Sequence, residues 1–317
     1  MINIATNILK PLETSSAMGL FARDTGGCLL SRLSLSRTAQ ERKEVGIAEV
    51  SESAIFYFLA PALVKLFSKI YPKITKPEVA KTSQLLSAFG LILPAVYAIA
   101  PLKNIATLAS SGHDEFTSVV GLKNTDNKPK TEEAKEKTKN IIINSAKIAL
   151  FSLLASLSLI LSCKNETIYN KAQPILSKIN KIFDANNGLK LIHYASLIYP
   201  VSILGYINSS RDKYEKMENV RRFSVSVPLL LFGDKFIEKP LHKFFDKKFN
   251  TSVFENNKIK SYDEILKMKN NKQFLKSKNC AFGLNFLTST VFVAAGVALL
   301  NRIQTKRHFN KDNKENR

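Results

Sequence analysis

The sequence predicts an all-α polytopic integral membrane protein: a helical bundle with four full-length transmembrane helices, up to six in all, and basic amphipathic helices at the bilayer surface. Three observations lead there. Residues Asn279 to Asn301 contain no ionisable side chain, and Lys278 and Arg302 close the run at its two ends. At about 1.5 Å rise per residue, such a helix covers the roughly 30 Å hydrocarbon core of a bilayer. Three further runs of similar length, 82–102, 141–163 and 191–210, carry one lysine between them. Finally, the polar residues are segregated into loops dense in Lys, Asn and Glu, so the mean hydropathy of −0.06 averages two unlike populations.

Residues 1–52 form a polar N-terminal region. Thr38 and Glu41 have capping-box spacing, which predicts a helix from Ala39 that carries its charges toward the first apolar run. Before it, Arg23 to Gly27 read as a turn. The membrane-embedded region is 53–301. Its first apolar run, 54–67, is short and contains Pro61, the pattern of a half-span, a re-entrant element or a kinked helix. Run 82–102 is uncharged and punctuated by Pro94 and Pro101, which predicts a kinked crossing. The segment 103–140 is polar, with Lys alternating with Glu over 128–139, and reads as a solvated linker or a short exposed helix.

In run 141–163, Leu, Ile and Phe at about −0.3 to −0.6 kcal/mol each outweigh the single Lys147 at roughly +2.5 to +3.5 kcal/mol, so insertion stands. Run 191–210 contains Tyr194, Tyr199 and Tyr206, and the tyrosines toward its two ends fit an aromatic belt. Run 223–233 is short and contains Pro228. Residues 234–278 read as basic surface helices. Leu241, Phe244, Phe245 and Phe249 fall on one face and Lys243, Lys247 and Lys248 elsewhere, as in a helix lying flat in the headgroup layer. Ser261 and Glu264 give a second capping box, opening a basic helix over 265–274. The tail, 302–317, is nearly free of apolar residues and predicts disorder.

Lys and Arg number 47 against 26 Asp and Glu, a formal charge of +21. Every loop is basic, so the positive-inside rule sets no orientation. That spread points to the lipid bilayer as the partner, with anionic headgroups attracting each cation by about 1 kcal/mol, and to an acidic protein partner through the basic loops. Nucleic acid is not expected, because most aromatic residues lie in the apolar runs and on the flat helix and few are interleaved with the cations. Cys28, Cys163 and Cys280 are odd in number and far apart, with no redox or metal pattern. The location expected is an integral membrane one, with the compartment left open.

No catalytic, cofactor or metal signature stands out, and no cofactor is expected. The Asp24-Thr25-Gly26 triplet occurs once, without the paired carboxylate that acid catalysis on that motif needs. Ser110-Ser111-Gly112-His113 lacks the accompanying cationic motifs of a phosphatase and reads as a polar loop. The candidate functional residues are the polar groups inside apolar runs, Lys147, His193 and Asn285, together with Asp234, Glu238 and His242. These last three recur every four residues with Asp246, although Pro240 interrupts the helix that would align them and i,i+4 pairs with nearby lysines are the simpler arrangement. Three functions follow in order of preference: a non-enzymatic membrane scaffold or interaction component; a small transporter or channel subunit using the helices interrupted by Pro61, Pro94, Pro200 and Pro228; and a membrane enzyme acting at the headgroup level.

Overall fold

The structure, a computed structural model, describes residues 2–10, 21–124, 128–182, 191–288 and 294–315. In chain order the helices are α1 (Ile2–Leu9), α2 (Leu30–Ser34), α3 (Ala39–Ala54), α4 (Ala60–Ile70), α5 (Pro77–Ser111), α6 (Phe116–Val119), α7 (Thr131–Ser162), α8 (Glu166–Ile182), α9 (Leu191–Asn208) and α10 (Lys213–Gly233). There follow α11 (Lys239–Phe249), the two-residue strands β1 (Phe254–Glu255) and β2 (Lys258–Ile259), α12 (Tyr262–Leu266), α13 (Asn271–Leu287) and α14 (Ala294–Glu315). The fold is therefore all-helical apart from one antiparallel hairpin among the described residues. The chain forms two compact units, one of residues 37–220 and one of 1–36 with 221–317.

Three helical stretches are long and apolar enough to cross a membrane: Ala39–Lys73, Pro77–Ser111 and Thr131–Ser162. The second contains run 82–102, and the third contains run 141–163 up to Ser162. The first contains run 54–67, and of the three readings open for that run it agrees with the interrupted helix rather than the half-span or re-entrant element. The run lies inside one continuous helical stretch, where α3 passes through a π-turn, Ile55–Leu59, into α4. Pro61 is the second residue of α4 and explains the turn. A proline has no N–H for the carbonyl four residues back, and its ring clashes with it; a wider turn moves that carbonyl aside. The same relationship recurs in the other unit, where the π-turn Asp234–Glu238 ends two residues before Pro240. In α5, α9 and α10, by contrast, Pro94, Pro101, Pro200 and Pro228 sit inside unbroken helix.

Within residues 37–220, α5 is the central element, packed by α3, α4, α7, α8 and α9. Its middle joins Phe56, Ala60 and Ile198 in a core with Leu85, Phe89, Ile92 and Val96. The contact between α5 and α7 is built from small residues. A Cβ added at Gly90 would lie 2.1 Å from the Cβ of Ser152. One turn away Ser87 Oγ donates to Ser156 Oγ at 2.9 Å and meets Tyr71 Oη at 2.6 Å. On the α9 side, a Cβ at Gly205 would lie 2.7 Å from the Tyr97 carbonyl oxygen. Close backbone approach through small residues, glued by hydroxyls, is how helices associate where the surroundings are as apolar as the helices themselves.

Several segment boundaries differ from those the sequence suggests. The linker 103–140 is largely helical: α5 continues to Ser111, where Gly112 at φ 71° closes it, and α7 already begins at Thr131. Run 223–233 is the second half of α10. Arg23 to Gly27 belong to a π-helical stretch, Ala22–Leu29, because packing against α14 overrides the turn preference of the glycines. Run 279–301 is helical at both ends, in α13 and α14, and its centre, 289–293, lies outside the described residues. The tail 302–315 is helix rather than disordered. Val297, Asn301 and Thr305, four apart, are buried along one side of α14, and Arg221 Nη1 donates to Asn301 Oδ1 at 3.3 Å; the tail continues that helix, with Thr305 buried on the same side while Asn310 and Asn313 are exposed.

The region 234–278 is also more than surface helices. Helix α11 buries His242 and Asp246 and exposes Lys243, Phe244, Lys247 and Lys248, while Phe245 and Phe249 stack on each other at 6.1 Å, half-buried. The face expected to rest on headgroups is thus partly occupied by protein. Asp246 organises the following loop. It accepts from Thr251 Oγ1 at 2.6 Å, from the backbone N–H groups of Val253 and Phe254 at 3.0 and 2.7 Å, and from Ser277 Oγ at 3.1 Å. Asn256 and Asn257, at φ 49° and 61°, form the two-residue turn of the hairpin, a conformation asparagine tolerates. The second capping box is present in full, but the helix it opens, α12, ends at Leu266.

Candidate functional site

The densest polar assembly among the described residues lies in the unit of residues 37–220, and of its members only Thr38 and Glu41 were singled out from the sequence, as a helix cap. It grows from the start of α3. Thr38, in extended conformation, accepts from the Glu41 N–H at 3.0 Å and its hydroxyl donates to the Val119 carbonyl at 2.5 Å. This fixes α3 against α6. The Glu41 carboxylate turns back to Arg37, whose guanidinium meets it at 2.6 Å and Glu218 at 2.8 Å. One turn further along α3, Glu44 receives both terminal nitrogens of Arg211, at 2.7 and 2.9 Å.

Arg211 simultaneously donates to Glu215 at 2.9 and 3.0 Å. Lys103, from α5, completes the lattice, with Nζ 2.9 Å from Glu215 and 3.5 Å from Glu44. Thr107, one turn on from Lys103, donates its hydroxyl to Glu44. The Phe116 ring lies under both arginines, 5.2 Å from the Arg37 guanidinium carbon and 5.8 Å from that of Arg211. Asp212 holds the geometry from behind: its carboxylate caps α10 through the N–H groups of Tyr214 and Glu215 at 3.0 and 2.9 Å and takes the Thr117 N–H at 3.0 Å.

The lattice is shut off from water. The side chains of Glu44 and Glu215 are 4% exposed and that of Arg211 7%. Burial by itself would push the Glu215 carboxyl up, but the charges of Lys103 and Arg211 and the hydrogen bonds from Arg211 override it and hold it at about 2. Burial opposes the charge of Arg211, and Glu215 and Glu44 more than restore it, so the guanidinium stays protonated far above its ordinary range. Arg37 is raised in the same way, against burial, by Glu41 and Glu218. Chemically such a lattice locks three chain segments in register. Its carboxylates are already engaged, which leaves none poised to move a proton to a substrate.

The residues nominated from sequence are dispersed. Lys147 is exposed on α7, and among the described residues it makes no hydrogen bond or ion pair. His193 lies on α9 and Asp234 opens a π-turn, but the side chains of both are outside the described residues. Asn285 is buried on α13, 2% exposed. Glu238 and His242 come together: both are buried, with His242 Nε2 3.9 Å from Glu238 Oε1, beyond hydrogen-bond reach. Among the described residues neither ring nitrogen of His242 has a hydrogen-bond partner. Asp246 is next to them but committed to its loop, and no group of three His, Cys, Asp or Glu able to hold a metal exists among the described residues. The Ser110-Ser111-Gly112 stretch is the end of α5, both hydroxyls donating back to the Thr107 carbonyl.

One local signal for the ion lattice was present in the sequence. Arg37 with Glu41 and Arg211 with Glu215 are both i,i+4 pairs beginning just before a helix. The long-range joins, Glu44 to Arg211 and Lys103 to Glu215, carry no such spacing. No family model, curated protein or solved structure matches the chain.

Proposed function

We propose that the chain is a multi-pass membrane protein acting as a non-enzymatic scaffold or interaction component, with its basic loops against anionic headgroups. One observation carries the reading. Of the 32 residues of α7 only Ala134, Ser156 and Ile160 are buried. The apolar remainder faces outward, with Phe151 73% and Leu161 62% exposed. An apolar surface of that extent is stable against acyl chains and a liability in water. The small-residue seam between α5 and α7 supports the same environment.

The scaffold reading is favoured over an enzyme at headgroup level because that chemistry was assigned to Asp234, Glu238 and His242, and two of the three are buried. It is favoured over transport because the largest polar assembly is a closed ion lattice rather than a lined path. Membranes from cells expressing the full chain, washed with alkaline carbonate, test the reading: the protein is expected to stay in the pellet and to need detergent for release. In reconstitution, vesicles containing phosphatidylglycerol are expected to capture the protein more strongly than phosphatidylcholine vesicles at moderate salt. A detergent-free, monodisperse protein in the carbonate supernatant would overturn membrane integration. Equal capture by the two vesicle types would remove the headgroup part.

A further inference from the structure

Helix α8 is the element whose surroundings are least explained by the bundle alone. Its contacts with α5 stay at one level. Glu166, at its start, pairs with Lys76 at 2.7 Å, and the Tyr169 hydroxyl donates to Glu78 at 2.9 Å. Asn180, near its end, donates to the Glu78 carbonyl at 2.9 Å and accepts from the Thr82 hydroxyl at 3.2 Å. Between Glu166 and Asn180 the helix advances roughly 21 Å, while its partners on α5 span only about 9 Å. It therefore runs across the end of α5 and not along it. The same level holds the end of α4 and the end of α7, since Leu176 packs with Tyr71, Val79, Ile160 and Cys163. That is where the apolar run of α5 begins and that of α7 ends.

The bundle covers only part of the apolar arc of α8. Tyr169, Ala172, Leu176 and Ile179 pack inward. Ile168, Ile175 and Ile182, seven apart and so on one stripe, are left 46%, 64% and 53% exposed. The adjoining stripe is Lys171 and Lys178, again seven apart and exposed, with Lys181 beyond them. The one acid of the helix, Glu166, is paired with Lys76.

We infer that α8 is an interfacial helix, lying in the bilayer surface at the end of the spans, with Ile168, Ile175 and Ile182 sunk among the upper acyl chains and Lys171 and Lys178 on anionic lipid headgroups. The claim rests on the membrane reading above. Three features argue for a bilayer as the occupant. The uncovered stripe is continuous with an apolar arc that already packs on the spans. Its level is the one where those spans pass from apolar to polar. Its free edge is cationic, complementary to an anionic leaflet.

The chain contains no tryptophan, so Ile175→Trp in the full-length protein supplies a unique fluorophore, and Thr167→Trp, on the polar side of α8, supplies its control. In liposomes, lipids brominated high on the acyl chain are expected to quench the Ile175→Trp reporter at least about threefold more strongly than the control. Brominated phosphatidylglycerol is expected to outdo brominated phosphatidylcholine by about twofold, a preference that disappears in Lys171→Gln with Lys178→Gln. An Ile175→Trp reporter untouched by bromolipid in a carbonate-resistant protein would overturn the inference while leaving the membrane reading intact. Quenching by aqueous iodide would then assign the stripe to water, and shielding from iodide as well would assign it to a protein surface. Release of the whole chain by carbonate would fail the membrane reading first.

Discussion

The guanidinium of Arg211 grips the Glu44 carboxylate through two parallel contacts of 2.7 and 2.9 Å, joining residues 167 positions apart inside a site from which water is excluded. A bidentate pair of this kind fixes direction as well as distance. It thereby ties the first turns of α3 to the chain just before α10, and Glu215 and Lys103 extend the tie to α5. Buried ion pairs contribute little net stability compared with well-packed apolar groups, but a half-removed pair is expensive. Arg211→Met is therefore expected to cost about 3–5 kcal/mol, because two buried carboxylates lose the guanidinium that neutralises them and share Lys103 alone. Arg211→Lys should recover only a minor share, since an ammonium cannot form the fork. Denaturant unfolding of the purified protein in detergent measures both, and a loss below about 1 kcal/mol for Arg211→Met would show the lattice to be dispensable.

The same lattice sets an acid limit. Glu215 is held at about 2, below its ordinary value of 4.5. A group whose folded value is depressed contributes stability that is present above its unfolded value and is lost as pH falls through the folded one. Stability is thus expected to be flat above about pH 5 and to decline between about 4.5 and 2, by on the order of 3 kcal/mol for this group. In Glu215→Gln the decline over that window should be shallower, while stability at pH 7 is lower. Thermal unfolding followed as a function of pH separates the two effects. An identical acid slope in the wild-type chain and in the variant would exclude Glu215 as its source.

What was legible in the sequence follows from the range of the interactions. The caps at Thr38 and Ser261 could be read because each joins a side chain to backbone three residues away. The long apolar helices α5 and α7 could be read because run length and lack of charge are properties of a single segment. Pro61 was legible as an interruption that left a half-span, a re-entrant element and a kinked helix all open, since sequence shows that a proline interrupts hydrogen bonding but not that a π-turn absorbs the interruption. Lys103 looked like the boundary of an apolar run and is instead a buried member of the ion lattice. Lys278, likewise expected at headgroups, is buried with its ammonium 4.5 Å from the Tyr262 ring centre. Partners such as Glu44 and Arg211 meet only after helices have packed, and no spacing in one dimension encodes that.

The seam between α5 and α7 yields a prediction about size alone. Because a Cβ at Gly90 would fall within 2.1 Å of the Ser152 Cβ and 2.4 Å of its Oγ, the two backbones cannot keep their separation in Gly90→Ala. Overpacking of this sort costs typically about 1–3 kcal/mol. The clash involves a side chain, so Ser152→Gly in the same protein should restore much of the loss, whereas Ser152→Gly by itself should be mildly destabilising. Gly205→Ala, which confronts the Tyr97 backbone at 2.7 Å, has no side chain to trim and should resist such rescue. Unfolding free energies of the four variants decide it. Additivity of Gly90→Ala and Ser152→Gly would mean that the two positions are not in contact.

The pair formed by His242 and Asp246 separates a costly buried polar group from an organising one on the same helix. His242 is fully buried and among the described residues neither ring nitrogen has a hydrogen bond, so only the Glu238 carboxylate 3.9 Å away stands against its desolvation. His242→Leu keeps the apolar body of the side chain and removes that burden. It is expected to leave stability unchanged or raise it by about 1–2 kcal/mol. Asp246 is the opposite case. It satisfies two backbone N–H groups and two hydroxyls across the loop that leads to the hairpin and across to α13. Asp246→Ala strands all four donors and is expected to cost about 3 kcal/mol or more, with Asp246→Asn intermediate because its amide retains one accepting oxygen. Hydrogen exchange should localise the damage to 250–260 in the Asp246 variants and show none there in His242→Leu. Marked destabilisation by His242→Leu would show that the imidazole nitrogens are engaged after all, and would make the Glu238–His242 pair the first place to look for a bound group.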